Sequence, residues 1–333
     1  MKEKYLFELG GENIELGKYE AIDLLEYENY KPQILSQEIN LLVVEVIKPI
    51  EKKIIRRFGM VKRISNIINY LENIQIDEIL EKIPDIEISD KSFAIRLLKK
   101  NGESESKIAK LLGQKISPKN KINLNDPDVK IFYYSGENTI ISKWDKNMET
   151  YYSKCLDHHV RYRPYFSPIS IHPRIARSMV NLARCPWKGK IIDPFCGTGG
   201  ILIEIADIGI DAIGIDILDK MKEYSLGNLK HYNLSAEVFC DDIETINDYN
   251  FNAIVTDPPY GISTTTKGEG VSKLMKRSLD LFSIKLKPKQ RLVMAVSKPE
   301  LIVQHSLKII KCFEWYIHKS LTRYIMVIEK INI

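Results

Sequence analysis

A glycine-rich loop between an acidic residue and an apolar helix is the first feature of the sequence suited to chemistry. It lies at residues 191–202, IIDPFCGTGGIL, where an apolar strand ends at Asp193 and the glycines Gly197 and Gly199 follow. Glycine is needed where a ligand approaches the backbone closely or where φ is positive. The dinucleotide fingerprint requires a glycine in place of Leu202, and no G-K-[ST] sequence follows, so pyrophosphate binding is disfavoured. An acidic residue before the loop instead favours a ligand with a cationic amine.

Carboxylates also end the next two strands of the sequence. Asp216 closes the run AIGID, and Asp241 and Asp242 follow the run VFC one strand later. Ligands of an open parallel sheet bind at the carboxyl ends of its strands, where Asp216 can accept two hydroxyl hydrogen bonds from a ribose. Asp241 is suited to an adenine amino group. Each carboxylate alone is more often an ordinary surface residue. Together with Asp193, however, they imply an adenosine with a positively charged tail, and S-adenosylmethionine fits this description.

The tetrapeptide Asp257-Pro258-Pro259-Tyr260 follows the fourth strand. Two consecutive prolines donate no ladder hydrogen bonds, so the strand stops there in a rigid, extended backbone. The Asp257 carboxylate and the Pro258 carbonyl can then receive N–H bonds from an exocyclic amino group, while Tyr260 stacks on the base. Holding both amino protons favours a pyramidal nitrogen whose lone pair points at a methyl group. A plain Pro-Pro turn is the structural alternative.

The elements that position these residues alternate between strand and helix from residue 190 to the end of the chain, which indicates a parallel α/β sheet. The last two apolar runs, 309–319 and 322–329, are too close for a crossover helix, so we expect them to be antiparallel. The other predicted strands of this half span residues 190–195, 211–217, 236–240, 252–256 and 291–297.

The first half of the chain predicts α+β structure. Apolar patterns indicate helices at 18–30, 61–71 and 104–112, and strands at 5–9, 33–46, 52–56, 91–99, 129–134 and 139–144. We therefore predict a small α+β unit at 1–57, a second at 58–147, a linker at 148–167 and the α/β domain at 168–333.

Charge is distributed unevenly along the 333 residues. Residues 151–200 carry 8 Lys or Arg against 2 Asp or Glu, whereas residues 201–250 carry 3 against 11. Such asymmetry suggests a basic face that meets a polyanion, with solvated surfaces as the alternative. The basic residues Arg161, Arg163, Arg174 and Arg177 are candidates for phosphate contact.

Composition excludes several classes of protein. With 44% hydrophobic and 28% charged residues the chain is typical of globular domains rather than disordered or low-complexity ones. Five cysteines with no C-x-x-C pair favour neither a disulfide framework nor a metal site. Because there is no transmembrane run or secretory signal, we expect a cytoplasmic protein with no membrane partner.

These motifs resemble a known family. Residues 166–333 resemble the class I (Rossmann-like) methyltransferase fold, and DPPY at 257–260 is similar to the signature of amino-methyltransferases that act on nucleic-acid bases. KSFAIRLLKK at 91–100 and KINLNDPDVKIFYY at 121–134 resemble a THUMP domain, an RNA-binding module of tRNA modification enzymes. The order of a ferredoxin-like unit, THUMP and methyltransferase, with DPPYGISTTT at 257–266, resembles the archaeal tRNA guanine-10 N2-methyltransferases.

The resemblance implies roles for individual residues. S-adenosylmethionine would be bound at its methionine end by Asp193, Gly197 and Gly199, at its ribose by Asp216, and at its adenine by Asp241 and the Asp242 backbone. The guanine amino group would be held by Asp257 and Pro258 with Tyr260 beside it. The THUMP unit would grip the acceptor end of tRNA.

Alternatives to this function stay open. A sister family that methylates guanine at tRNA position 6 carries Asn where this chain has Asp257, which favours position 10. A DNA adenine or cytosine amino-methyltransferase is a second alternative, and a non-catalytic RNA-binding protein is a third. One or two methyl groups are compatible with the motifs. We expect a monomer, with a small activator subunit as a further candidate partner.

Overall fold

The structure, a computed structural model, describes residues 2–72, 81–89, 91–99, 104–116, 118–167, 170–259, 270–302, 306–318 and 321–332. The chain forms two compact units that are not contiguous in sequence. The first helix, α1 (Ile14–Tyr27), belongs to the second unit from Glu15 onward. The first unit comprises Met1–Ile14, Glu28–Arg56 and Val61–Tyr151, and the second comprises Glu15–Tyr27, Arg57–Met60 and Tyr152–Ile333.

Within the described residues, one sheet of seven strands forms the first unit, in the order β2-β3-β1-β4-β7-β6-β5. All neighbours are antiparallel except β5 and β6, which are parallel and are connected through helix α3 (Glu105–Gly113). Ile108 and Leu112 of this helix pack against Ile131 and Tyr133 of β6. A short helix, α2, spans Lys52–Ile55, and the strands are β1 (Glu3–Leu9), β2 (Gln33–Glu38), β3 (Leu41–Val46), β4 (Val61–Glu72), β5 (Phe93–Lys99), β6 (Val129–Ser135) and β7 (Asn138–Asp145).

Three predictions for this half were wrong. The predicted strand at 33–46 is two strands, β2 and β3, which pair as an antiparallel hairpin. The predicted helix at 61–71 is strand β4, which pairs with β1 on one side and β7 on the other. Both of its faces contact apolar clusters, Ile67 on one and Ile68 on the other, so its apolar residues do not alternate as on a half-exposed strand. The predicted strand at 52–56 is helix α2, too short for periodicity to identify. The predicted domain boundaries stay predictions.

The second unit confirms the predicted α/β class. Its described residues form a second sheet of seven strands in the order β10-β9-β8-β11-β12-β14-β13, parallel except for the antiparallel β14 and β13. The strands are β8 (Lys190–Asp193), β9 (Asp211–Asp216), β10 (Glu237–Cys240), β11 (Ala253–Thr256), β12 (Arg291–Val296), β13 (Leu307–His318) and β14 (Leu321–Lys330). The predicted final hairpin is confirmed.

Helices cover both faces of this sheet. Alternate strand residues enter different cores, as Ile191 and Ile192 of β8 do, so the strands are apolar throughout their length. One core includes residues of α5, α6 and α7, and the other includes Met275 and Phe282 of α8. The helices are α4 (Tyr151–Lys154), α5 (Pro173–Leu182), α6 (Gly200–Asp207), α7 (Asp219–His231) and α8 (Val271–Lys285). In the described parts of the chain, no helix has the length and apolarity to span a membrane.

Candidate active site

Four acidic residues singled out from the sequence lie at one edge of the second sheet. Asp193 and Asp216 are the last residues of β8 and β9, Asp241 follows β10, and Asp257 follows β11. These four strands are parallel neighbours, so their carboxyl ends share an edge. The chain order reverses between β8 and β11, which is the position where open α/β sheets bind ligands.

The glycine loop connects β8 to α6 and has two left-handed residues. Gly197 has φ +50° and Gly199 has φ +80°, a region that favours glycine. An added Cβ at Gly199 would lie 2.4 Å from the Ser225 hydroxyl of α7, so Gly199 also permits close packing. At Gly197 such a Cβ would have no neighbour within 4 Å, so this part of the loop leaves room for a ligand to approach the backbone.

Asp193 is buried between the loop and β11, with 1% of its surface exposed. Its Oδ1 accepts hydrogen bonds from the Thr256 hydroxyl at 2.7 Å and from the Phe195 amide at 3.2 Å. Burial raises the pKa of Asp193 to about 7, and the negative charges of Asp257 and Asp216 act in the same direction. The ionised form of Asp193 would therefore strongly stabilise a cation that binds beside it.

Asp216 ties β9 to the glycine loop. Its two carboxylate oxygens accept hydrogen bonds from the amides of Gly197 and Leu218, each at 3.0 Å. Burial raises its pKa. A carboxylate offers about four acceptor positions, so Asp216 keeps the capacity to receive hydroxyl groups as well.

Asp241 and Asp242 lie beside Asp216 but their side chains differ in surroundings. The Asp241 amide donates to the Asp216 carbonyl at 3.0 Å, and the Asp241 carboxylate accepts from the Asp242 amide at 3.0 Å. The Asp242 carboxylate points to other groups, since it accepts from the Glu244 amide and pairs with Arg277 at 2.6 Å. The backbone of Asp242, rather than its side chain, therefore faces the Asp241 carboxylate.

Asp257 follows β11 directly and has a cationic neighbour that the sequence analysis missed. Arg323 of β14 places its Nη2 atom 3.4 Å from Asp257 Oδ2. The side chains of Arg323 and Asp257 are 6% and 15% exposed. Pro258 is buried, and Tyr260 lies outside the described residues. A single arginine in the apolar strand LTRYIMVIE is the sequence signal that marks Arg323.

A second missed residue, Asn228 of α7, is fully buried and supports the glycine loop. Its amide nitrogen donates to the carbonyls of Thr198 and Tyr165 at 2.9 and 2.8 Å, and its oxygen accepts from the Tyr165 amide at 3.0 Å. Asn228 thus joins the loop to the segment that precedes α5. The signal is weak, because Asn occurs often on exposed helix faces.

The prediction that the arginines of this segment contact phosphate was wrong for Arg163 and Arg177. They are 5% and 1% exposed, respectively. Arg177 Nε donates to buried Glu204 at 2.8 Å, so its charge neutralises a carboxylate inside the unit. Arg161 is exposed, and Arg174 stacks on Tyr152. A count of charges does not show which of these arginines are buried, because burial depends on the hydrophobic residues around each one.

A mostly parallel sheet of this strand order, with acidic strand ends beside a glycine loop, defines a Rossmann-like methyltransferase domain. The family model described as UPF0020: RMKL-like, methyltransferase domain matches residues 160–308. TrmN from Thermus thermophilus shares the fold, with a TM-score of 0.59, 15% identity and coverage of 98% of this chain and all of the other.

Two curated relatives match nearly the whole chain. The tRNA (guanine(10)-N2)-dimethyltransferase of Methanothermobacter thermautotrophicus is 31% identical over 97% of this chain and 98% of its own length. The enzyme of the same name from Methanocaldococcus jannaschii is 31% identical over 97% of this chain and 99% of its own length. The chain therefore belongs to the tRNA (guanine(10)-N2)-dimethyltransferase family. It is an enzyme whose methyl donor is S-adenosylmethionine.

Proposed function

We propose that this protein transfers methyl groups from S-adenosylmethionine to the exocyclic N2 of guanosine 10 in tRNA. The observation that carries the proposal is the position of Asp257, a half-buried carboxylate next to the glycine-loop edge where Asp193 and Asp216 lie. The substrate class, the position and a second methyl transfer follow from the names of the relatives.

The residues at this edge fit S-adenosylmethionine. The buried Asp193 suits the methionine amine, because a cation offsets the cost of ionising a carboxyl group whose pKa is about 7. Asp216 has acceptor capacity for ribose hydroxyls, and Asp241 beside it suits the adenine amino group. The free space at Gly197 allows close approach to the loop. When bound, this cofactor supplies an electrophilic methyl group on a sulfonium.

Asp257 and Pro258 would act on the guanine. A base in folded RNA must be turned out of its stack to reach these two residues. The Asp257 carboxylate and the Pro258 carbonyl each accept a hydrogen bond from one N–H of the amino group. This directs the nitrogen lone pair away from the ring and towards the methyl group. Asp257 takes up the proton that the amino group loses. Tyr260 is proposed to stack on the base.

A cationic face on the first unit favours a polyanionic substrate. The side chains of Lys130 and Phe132 lie on the face of β6 opposite α3, because Ile131 between them packs against that helix. The Arg63 guanidinium lies 4.0 Å from the Phe132 ring centroid, and Lys130 Nζ lies 4.5 Å from the Trp144 centroid. Burial lowers the pKa of Lys130, and the charges of Arg63 and Arg96 lower it further. An approaching phosphate relieves this repulsion.

Residues 58–147 would form the THUMP unit that grips the acceptor end of tRNA, and the enzyme would act in the cytoplasm as a monomer. A small activator subunit would be a further partner if the chain alone binds tRNA without turning it over.

The test is transfer of labelled methyl from S-adenosylmethionine to an unmodified tRNA transcript, followed by digestion and identification of the nucleoside and its position. N2-methylguanosine or its dimethyl form at position 10 is expected, and a transcript with adenosine at that position should receive no label. The same product at position 6 would replace the proposed position by that of the sister family. Label on DNA alone, or binding without transfer in the presence of an activator, would overturn the proposal.

A further inference from the structure

Arg323 reaches Asp257 because of the final hairpin. Strand β14 runs antiparallel to β12, and its Tyr324 pairs with Val296, the last residue of β12. The beginning of β14 therefore lies at the sheet edge where the parallel strands end. Asp257 lies two strands away, roughly 10 Å at the usual strand spacing, a distance that a long arginine side chain can span.

The groups around Asp257 are negatively charged, so a cation beside it matters for the electrostatics of the site. Asp193 on the neighbouring strand interacts electrostatically with Asp257, and Asp216 interacts with Asp193 in turn. These negative charges raise the pKa of Asp193 further. Arg323 is a buried guanidinium within ion-pair distance of Asp257, so it offers this carboxylate a charged partner.

The ion pair also bears on the orientation of the carboxyl group. Arg323 pairs with Oδ2 of Asp257, and a guanidinium has only donors to offer. Whatever side chain stands at position 257 must therefore present an oxygen to Arg323. For a carboxylate this has no cost, because its other oxygen is also an acceptor.

We infer that Arg323 is a positioning residue, which orients Asp257 so that an acceptor faces the amino group of the substrate. This inference rests on the proposed function. It assigns no contact with substrate or cofactor to Arg323. It predicts that a carboxylate, rather than an amide, is required at position 257 in this chain.

The inference predicts an unusual pattern in a double-mutant cycle. Asp257→Asn alone must turn its oxygen to Arg323 and its NH2 towards the substrate amino group, so kcat should fall by about 10²–10³. Arg323→Met, which replaces the cation by an apolar side chain of similar length, should lower kcat by about tenfold with KM for tRNA little changed. In the double variant the amide is free to turn, and kcat should be about tenfold higher than in Asp257→Asn alone.

Arg323→Lys and Arg291→Met are the controls. Lysine keeps a cation, so it should retain more activity than methionine and should not rescue Asp257→Asn. Arg291 is also a buried arginine of this sheet, but it begins β12 at the opposite edge and pairs with Asp23 at 2.8 Å. Arg291→Met should lower the melting temperature without rescuing Asp257→Asn.

Each outcome is decisive when folding is checked by thermal melting and by binding of S-adenosylmethionine. Rescue of Asp257→Asn by Arg323→Met, and not by Arg291→Met, supports the inference. Multiplicative losses in the double variant, or rescue by both substitutions, would overturn it. If Arg323→Met fails to fold, the same cycle is measured with Arg323→Gln. If the wild-type enzyme transfers no methyl group to tRNA, the proposed function fails instead, before the variants are compared.

Discussion

Asp193 is a buried carboxyl group with a pKa near neutrality, and this has a consequence for stability. Its pKa in the folded protein, about 7, lies above the ordinary value of 3.8. Between these values the folded state binds more protons than the unfolded state, so the stability that Asp193 contributes is present at low pH and is lost as pH rises through 7. The physical cause of this loss is the cost of ionising a carboxyl group that is buried without a cation.

We expect Asp193→Asn, measured without cofactor, to gain stability relative to wild type as pH rises. The difference in the free energy of unfolding between the variant and wild type should be about 2 to 4 kcal/mol more favourable to the variant at mildly alkaline pH than at mildly acid pH. Urea unfolding of both proteins at the two pH values measures this difference. Buried Glu20, whose pKa is also raised to about 7, contributes equally to both proteins and cancels. An equal stability difference at both pH values would show that Asp193 is ionised in the folded state throughout.

Asp257 should matter for turnover. Removing its side chain takes away one preorganised acceptor of an amino proton, so Asp257→Ala should lower kcat by about 10²–10³. Single-turnover transfer to tRNA measures the effect, and Asp280→Ala, at an exposed position of α8, is the control. Wild-type turnover in Asp257→Ala would assign the amino group to another acceptor.

The glycine loop connects β8 to α6 and packs against α7 at Gly199. Gly197 and Gly199 both have positive φ, but only Gly199 packs against Ser225 of α7. We expect Gly197→Ala to cost about 1 kcal/mol of backbone strain, and Gly199→Ala to cost more, because Ser225 must also move. Thermal unfolding compares the two variants. Equal losses would mean that the α6–α7 contact adapts without cost.

The strands of the second unit could be predicted from the sequence because their signals are local. A short apolar run between turns identifies a buried strand, and an acidic residue marks its carboxyl end, as Asp193 and Asp216 do. Strand β4 was misassigned because Ile64, Ile67 and Ile68 have helical spacing when both faces of a strand are buried. Arg323 was missed because its partner is set by sheet order, which is not a local property.

At the scale of the molecule, the sequence did not indicate that the second unit includes an early helix. Glu20 of α1 is fully buried and accepts hydrogen bonds from the amides of Gly59 and Met60 at 2.9 and 2.8 Å. It also accepts from the Asn181 amide group of α5 at 2.7 Å. An amphipathic pattern shows that a helix has a buried face, but the residues that cover the face come from distant positions in the chain.

Binding of tRNA by the full chain should depend on the cationic face of the first unit. Each phosphate contact adds about 0.9 to the slope of log affinity against log salt concentration. We expect Lys130→Ala to weaken binding and to reduce this slope by about 1. Lys110→Ala is the control, because Lys110 is an exposed cation on α3, which covers the opposite face of the sheet.

Filter binding or fluorescence anisotropy over a series of salt concentrations measures both slopes. Stacking of Lys130 on Trp144 restricts its motion, so little entropy should be lost when it meets a phosphate. For the same reason Trp144→Leu should weaken binding without changing the slope, since it removes the ring that orders the cation but leaves the charge. A slope unchanged by Lys130→Ala would mean that tRNA contacts a different surface, and the exposed Arg161 of the second unit would then be the next cation to replace.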